Sequence, residues 1–176
     1  MTRPEIVTIS TPDLGDRSYI VATGQTAVVI DPQRDIDRVL AIVADRGWGV
    51  SHVLETHVHN DYVSGGLVLS AELGAAYVVP KGHHYAFEAM TVGDGDWFET
   101  DAMTWRAIHT PGHTPHHVSY ALSVEGTDRA VFTGGSMLFG SVGRPDLIGP
   151  DATEDLAHAQ WHPVRRPVSD LHASAE

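Results

Sequence analysis

The chain has 176 residues, 42% of them hydrophobic, which suits one domain with a sizeable core and is too few for two ordinary ones. Its 11 Lys and Arg against 23 Asp and Glu give a net charge of −12, and such a surface repels nucleic acid and anionic membranes. Cysteine is absent, which excludes disulfides, thiolate metal sites and cysteine nucleophiles, so any transition metal must be held by nitrogen and oxygen.

In chain order, strand-like runs at 6–9, 18–22 and 27–30 are separated by Gly/Asp turns and read as an antiparallel meander ending at Asp31-Pro32. Residues 35–46 place Ile36, Val39, Leu40 and Val43 at helical spacing, and Gly47 closes the helix. A short buried strand at 51–55 runs into a polar loop at 56–62. A second helix at 64–73 stops at Gly74, and 76–79 is another strand. The second half reads as β-structure at 97–99, 103–110, 117–124 and 129–132, with a helix over 153–161 after the loop 134–150. Trp48, Trp97 and Trp105 read as core packing. No apolar run approaches the ~20 residues that cross a bilayer, and the opening MTRPEIVTIS has no export segment, so a cytoplasmic location is expected.

Histidine is the compositional anomaly: 12 residues, more than Lys and Arg together, and clustered. THVHND (56–61) follows directly on a hydrophobic strand. In extended chain, residues two apart share a face, so His57 and His59 can address one ion. Asp61 is open to three roles there: a further ligand, an orienting group, or the catalytic base on metal-bound water. HTPGHTPHH (109–117) presents His113 from a Pro-Gly turn at a strand end, where rigid loops position ligands. His116 and His117 are open to two readings: ordinary residues at the start of the next strand, or residues behind the ligands or toward the substrate. Clustered imidazoles without thiols point to a transition metal, Zn, Fe, Mn, Ni or Cu, rather than Ca or Mg.

THVHND followed by Gly65-Gly66, then HTPGHT, then FTGGSMLFGSVGRPDL, resembles the metallo-β-lactamase superfamily, in its persulfide dioxygenase and glyoxalase II branch. The resemblance runs from about Tyr19 to Leu147. It implies an α/β (α+β) fold, the four-layer αββα metallo-β-lactamase sandwich, here over 1–165 and lacking the last C-terminal elements, with 166–176 a disordered tail. It implies His57, His59 and His113 as ligands of one transition metal ion, Fe(II) or Zn(II). It also implies a glutathione-type thiol substrate: a persulfide for a dioxygenase, or a hydroxyacyl thioester for a zinc-dependent hydrolase. The dioxygenase reading leads, and a degenerate member that binds without turnover is the remaining alternative.

Three departures qualify the match. Tyr62 stands where the family's T-H-x-H-x-D-H ends in histidine, and Gly135 stands where F-T-G-D supplies a carboxylate. The family's last ligand histidine has no counterpart, since His172 falls in the tail. A missing last strand leaves an open sheet edge, which predicts association as a homo-oligomer. On the substrate side, Arg144 of GRPDL offers a fork for a carboxylate, unless Asp146 locks it, and Tyr62 is the second expected substrate contact.

Overall fold

The computed structural model describes residues 3–12, 15–138 and 140–161. Strands β1 (Glu5–Thr11), β2 (Asp16–Thr23) and β3 (Thr26–Ile30) form the expected antiparallel meander. Helix α1 (Asp37–Arg46) then crosses over, so that β4 (Gly49–Leu54) lies parallel to β3. Helix α2 (Gly66–Leu73) does the same for β5 (Ala76–Pro80), and β6 (Met90–Val92) adds a last parallel strand. The order in this six-stranded sheet is β1-β2-β3-β4-β5-β6.

The second sheet is antiparallel throughout, with β7 (Trp97–Thr100), β8 (Met103–His109), β9 (Val118–Val124) and β10 (Thr127–Phe132) in the order β10-β9-β8-β7. A small hairpin of β11 (Met137–Leu138) and β12 (Ser141–Val142) precedes α3 (Pro150–Trp161). Neither β6 nor this hairpin is legible in the sequence, because runs of three and two residues carry no periodicity.

Strand β3 explains the layering. Its residues alternate between two apolar surroundings, as a period of two requires. Val28 and Ile30 enter a core between the sheets with Trp105, Tyr120 and Leu122, while Ala27 and Val29 face Val39 and Val43 of α1 and Leu69 of α2. Trp105 behaves as expected and Trp48 packs partly buried on the helix side. Trp97 does not: it is 64% exposed, because Phe98 and Thr100 take the inward phase of the edge strand β7. The tail proposed for 166–176 lies outside the described residues. Among those described, no helix is long and apolar enough to cross a membrane.

One end of the sandwich collects the chemistry. Parallel pairing ends with Asp31 N–H on the Leu54 carbonyl (2.9 Å) and Glu55 N–H on the Val78 carbonyl (2.9 Å), so Asp31, Glu55 and Thr56 emerge side by side. The second sheet is tied to the same spot: Val118 N–H donates to the Thr56 carbonyl (2.8 Å), and the buried Tyr120 hydroxyl to the Glu55 carbonyl (3.0 Å).

Candidate metal centre

Three imidazoles meet at this end, and each has one nitrogen committed to the protein. Thr56 Oγ1 donates to Asp31 Oδ2 (2.8 Å), which leaves its oxygen to accept from His57 Nδ1 (2.9 Å). His113 Nδ1 donates to the backbone carbonyl of Arg144 (3.0 Å). His59 Nε2 faces Glu55 Oε2 (3.0 Å) and Asp31 Oδ1 (3.2 Å). These partners assign the tautomers. They leave His57 Nε2, His59 Nδ1 and His113 Nε2, all buried and without a hydrogen-bond partner, as the ring atoms with lone pairs to give.

All three face Asp61. Its Oδ1 lies 3.7 Å from His57 Nε2 and 3.4 Å from His59 Nδ1, and its Oδ2 lies 3.5 Å from His113 Nε2. Ligand atoms of His57, His59 and Asp61 fall within 4.8 Å of one another, and the His57 and His113 rings are 4.7 Å apart. Lone pairs aimed at a carboxylate repel it, and a positive charge between them removes the conflict. Nitrogen and oxygen donors in this number fit a borderline transition ion such as Zn(II) or Fe(II), with positions left open.

The electrostatics follow the same geometry. Burial pushes the Asp61 carboxyl up; protons on the facing nitrogens of His113, His57 and His59, the places an ion would take, hold it far below the usual carboxylate range in the metal-free protein. Burial disfavours charge on His59, yet Asp31, Asp61 and Glu55 raise it well above an ordinary histidine. His57 is lowered, by burial first and by the neighbouring His59 and His113 as well.

The other sequence-derived positions fall differently. Arg144 forks onto Asp146 through two 2.7 Å bonds with its side chain 66% exposed; the internal lock forms, and it is the backbone carbonyl that reaches the centre. Tyr62 turns its hydroxyl inward, donating to the Asp31 carbonyl (3.2 Å) and lying 3.1 Å from His59 Nε2. Burial, with Asp31 and Glu55 beside it, drives this phenol far above its ordinary pKa, so it is no phenolate ligand. Its ring still borders a cleft with Gln33, Arg34, Asp35 and Val63.

Gly135 brings no ligand, and the space for one is taken. A Cβ there would lie 2.7 Å from His113 Nε2, and one at Gly143 would lie 3.0 Å from His113 Nδ1 and overlap the Gly135 carbonyl. Two close backbone approaches thus seat the His113 ring.

Three residues of the site escape the sequence reading, Asp31, Glu55 and Thr56, while His117, open there to two roles, packs behind His57. His117 is fully buried, stacks on His57 at 4.9 Å, gives Nδ1 to Thr110 Oγ1 (2.9 Å), and keeps Nε2 unpartnered. The signal was its place in β-phase next to half-exposed His116. Asp31 carries no such signal in the sequence; in the structure it follows β3 at a left-handed φ of 49°, uncommon for a non-glycine residue.

Comparison with known proteins adds a lineage. The profile of the metallo-beta-lactamase superfamily matches residues 12–171. The chain is 32% identical over 168 residues to a hydroxyacylglutathione hydrolase of Cereibacter sphaeroides, covering 92% of this chain and 60% of that one. Among solved structures, ETHE1 from Myxococcus xanthus superposes with TM-score 0.76 at 26% identity, over 89% of this chain and 67% of its own. A metallo-beta-lactamase from Staphylococcus aureus shares the fold at TM-score 0.87 and 24% identity, covering 96% of this chain and 53% of the other. The chain therefore spans between about half and two thirds of the length of these proteins.

Proposed function

Because the chain belongs to the metallo-β-lactamase superfamily, we propose that it is a metal-dependent enzyme acting on a glutathione-type thiol derivative. The observation that carries this reading is the convergence of three unpartnered ring nitrogens, from His57, His59 and His113, on the Asp61 carboxylate. These four residues would hold one ion. Bound there, the ion supplies Lewis acidity and, as Fe(II), access to dioxygen chemistry.

The residues divide the remaining work. Thr56, the Arg144 carbonyl and the two carboxylates behind His59 fix the rings so that nitrogen lone pairs, not N–H groups, face inward. Asp61, set between the rings, suits the anionic member of the ligand set, and the same place allows it to act as the base on metal-bound water. Two or three imidazoles with one carboxylate is a donor set used by oxygen-activating iron sites. On that ground the leading reaction is oxygenation of glutathione persulfide or a similar low-molecular-weight persulfide.

A second reading, zinc-dependent hydrolysis of a glutathione thioester, is favoured by the 32% identity to a hydroxyacylglutathione hydrolase. The test has two stages. Metal content of protein purified without added metal is compared with His57→Ala and His113→Ala, and equal content in all three would end the metal reading. Oxygen uptake with glutathione persulfide after iron loading is then set against hydrolysis of lactoylglutathione after zinc loading. Turnover in one assay selects the reaction, and silence in both retires the enzyme.

A further inference from the structure

We infer that Glu55 is a positioning residue for the metal centre, acting through His59: it fixes which nitrogen that ring presents and lends the ring negative charge. The inference rests on the metal reading above.

His59 Nε2 has three oxygens around it: Glu55 Oε2 at 3.0 Å, Tyr62 Oη at 3.1 Å and Asp31 Oδ1 at 3.2 Å. The Tyr62 hydroxyl spends its proton on the Asp31 carbonyl, so toward His59 all three are acceptors. A ring nitrogen surrounded by acceptors must carry hydrogen. The lone pair is then on Nδ1, the atom 3.4 Å from Asp61.

Glu55 is itself held for this task. Its side chain is 4% exposed at the end of an interior strand, where an ionised group is costly unless it is bonded on every side. Oε1 accepts from Ser64 Oγ and from Tyr77 Oη (3.1 Å), which leaves Oε2 for His59. Gly66, at the start of α2, makes the room: any Cβ there would collide with Glu55 Oε1. Three residues thus arrange one carboxylate whose hydrogen bond toward the centre goes to His59. A carboxylate accepting the distal N–H of a ligating imidazole locks the ring and raises its donor strength, and losing such a partner costs about 10–100-fold in metal affinity.

Zinc affinity is measured by competition with a chromophoric chelator for wild type, Glu55→Gln and His57→Ala. Glutamine keeps an oxygen for the His59 N–H, removes the charge, and sets an NH2 donor where Oε1 accepted from Ser64 and Tyr77. The expected result is one ion per chain in both wild type and Glu55→Gln, bound about 10–100-fold more weakly in the variant. Equal affinity, with only the melting temperature of the metal-free variant lowered, would mean that Glu55 is purely structural and overturns the inference. Loss of a second ion in Glu55→Gln would overturn it too, by making Glu55 a ligand. If wild type binds no zinc, the metal reading falls and takes this one with it. A measurement on wild type alone guards against a variant that fails to fold. Long-range ¹H–¹⁵N spectra are expected to show His59 protonated on Nε2 before and after zinc loading, and protonation on Nδ1 in the loaded protein would sink the proposal.

Discussion

The two histidine-bearing loops are built on different principles. The first, leaving β4, is held by charge: Asp31 and Glu55 stand behind His57 and His59, and Thr56 Oγ1 relays Asp31 to the His57 ring. The second, between β8 and β9, is held by shape. His113 rests between Gly135 and Gly143, bonded to a main-chain carbonyl, with no ionised partner on its distal nitrogen. A metal centre assembled this way has an electrostatic half and a steric half, and the two should fail in different ways.

The largest test of that contrast is Gly135. Restoring the carboxylate with Gly135→Asp places a Cβ against the His113 ring, and displacing the ring costs about 1–3 kcal/mol, or roughly 5–150-fold in affinity. Zinc affinity is expected to fall by that factor, and Gly135→Ala should fall as far although it removes no ligand. Tighter binding by Gly135→Asp than by wild type would show that charge, not shape, limits this half as well.

In the electrostatic half, Asp31→Asn comes next. Asp31 accepts from the Thr56 N–H (2.7 Å), Thr56 Oγ1 and His59 Nε2, so neutralising it should lower the stability of the metal-free protein by about 1.5–3 kcal/mol in urea unfolding. An unchanged midpoint would mean that shape holds this loop too. A smaller change is expected for Thr56→Val, about 1 kcal/mol, with His57 losing its acceptor and metal affinity dropping by no more than about tenfold.

The smallest effect is on the exposed rim of the steric half. Arg144 holds the Asp146 carboxyl down at about 2, so the ion pair persists above the ordinary carboxyl pKa of 3.8 and is lost only as pH falls through about 2. Between pH 5 and 3, NMR should show Asp146 staying ionised in wild type and titrating in Arg144→Ala, with zinc affinity unaltered. A drop in affinity would show that the Arg144 side chain, and not only its carbonyl, supports His113.

How much of this is legible in the sequence depends on distance along the chain. The two loops and their ligand histidines are readable because strand, turn and imidazole lie within a few residues of each other. The three residues missed are legible only after folding: Asp31 meets Glu55 and Thr56 because α1 returns the chain parallel to β3, a pairing no local pattern states. His117 was in view but has no spacing that separates an inward ring from an ordinary strand residue. Gly135 reads in the sequence as a lost carboxylate; the packing of His113 makes it a seat. Trp97 marks the opposite error, where apolarity was read as burial on an edge strand whose inward phase belongs to its neighbours.

Helix α3 contributes no ligand, yet Gln160 near its end donates to the carbonyls of both Ser136 (3.0 Å) and Gly143 (3.0 Å), and its Cα lies 2.9 Å from where a Cβ on Gly112 would sit. One neutral amide therefore ties two of the backbone segments that frame His113, and the same residue packs against the third. The shortest fragment able to grip an ion must reach well past the last atom that touches it, because the far wall of the cup is fastened from outside.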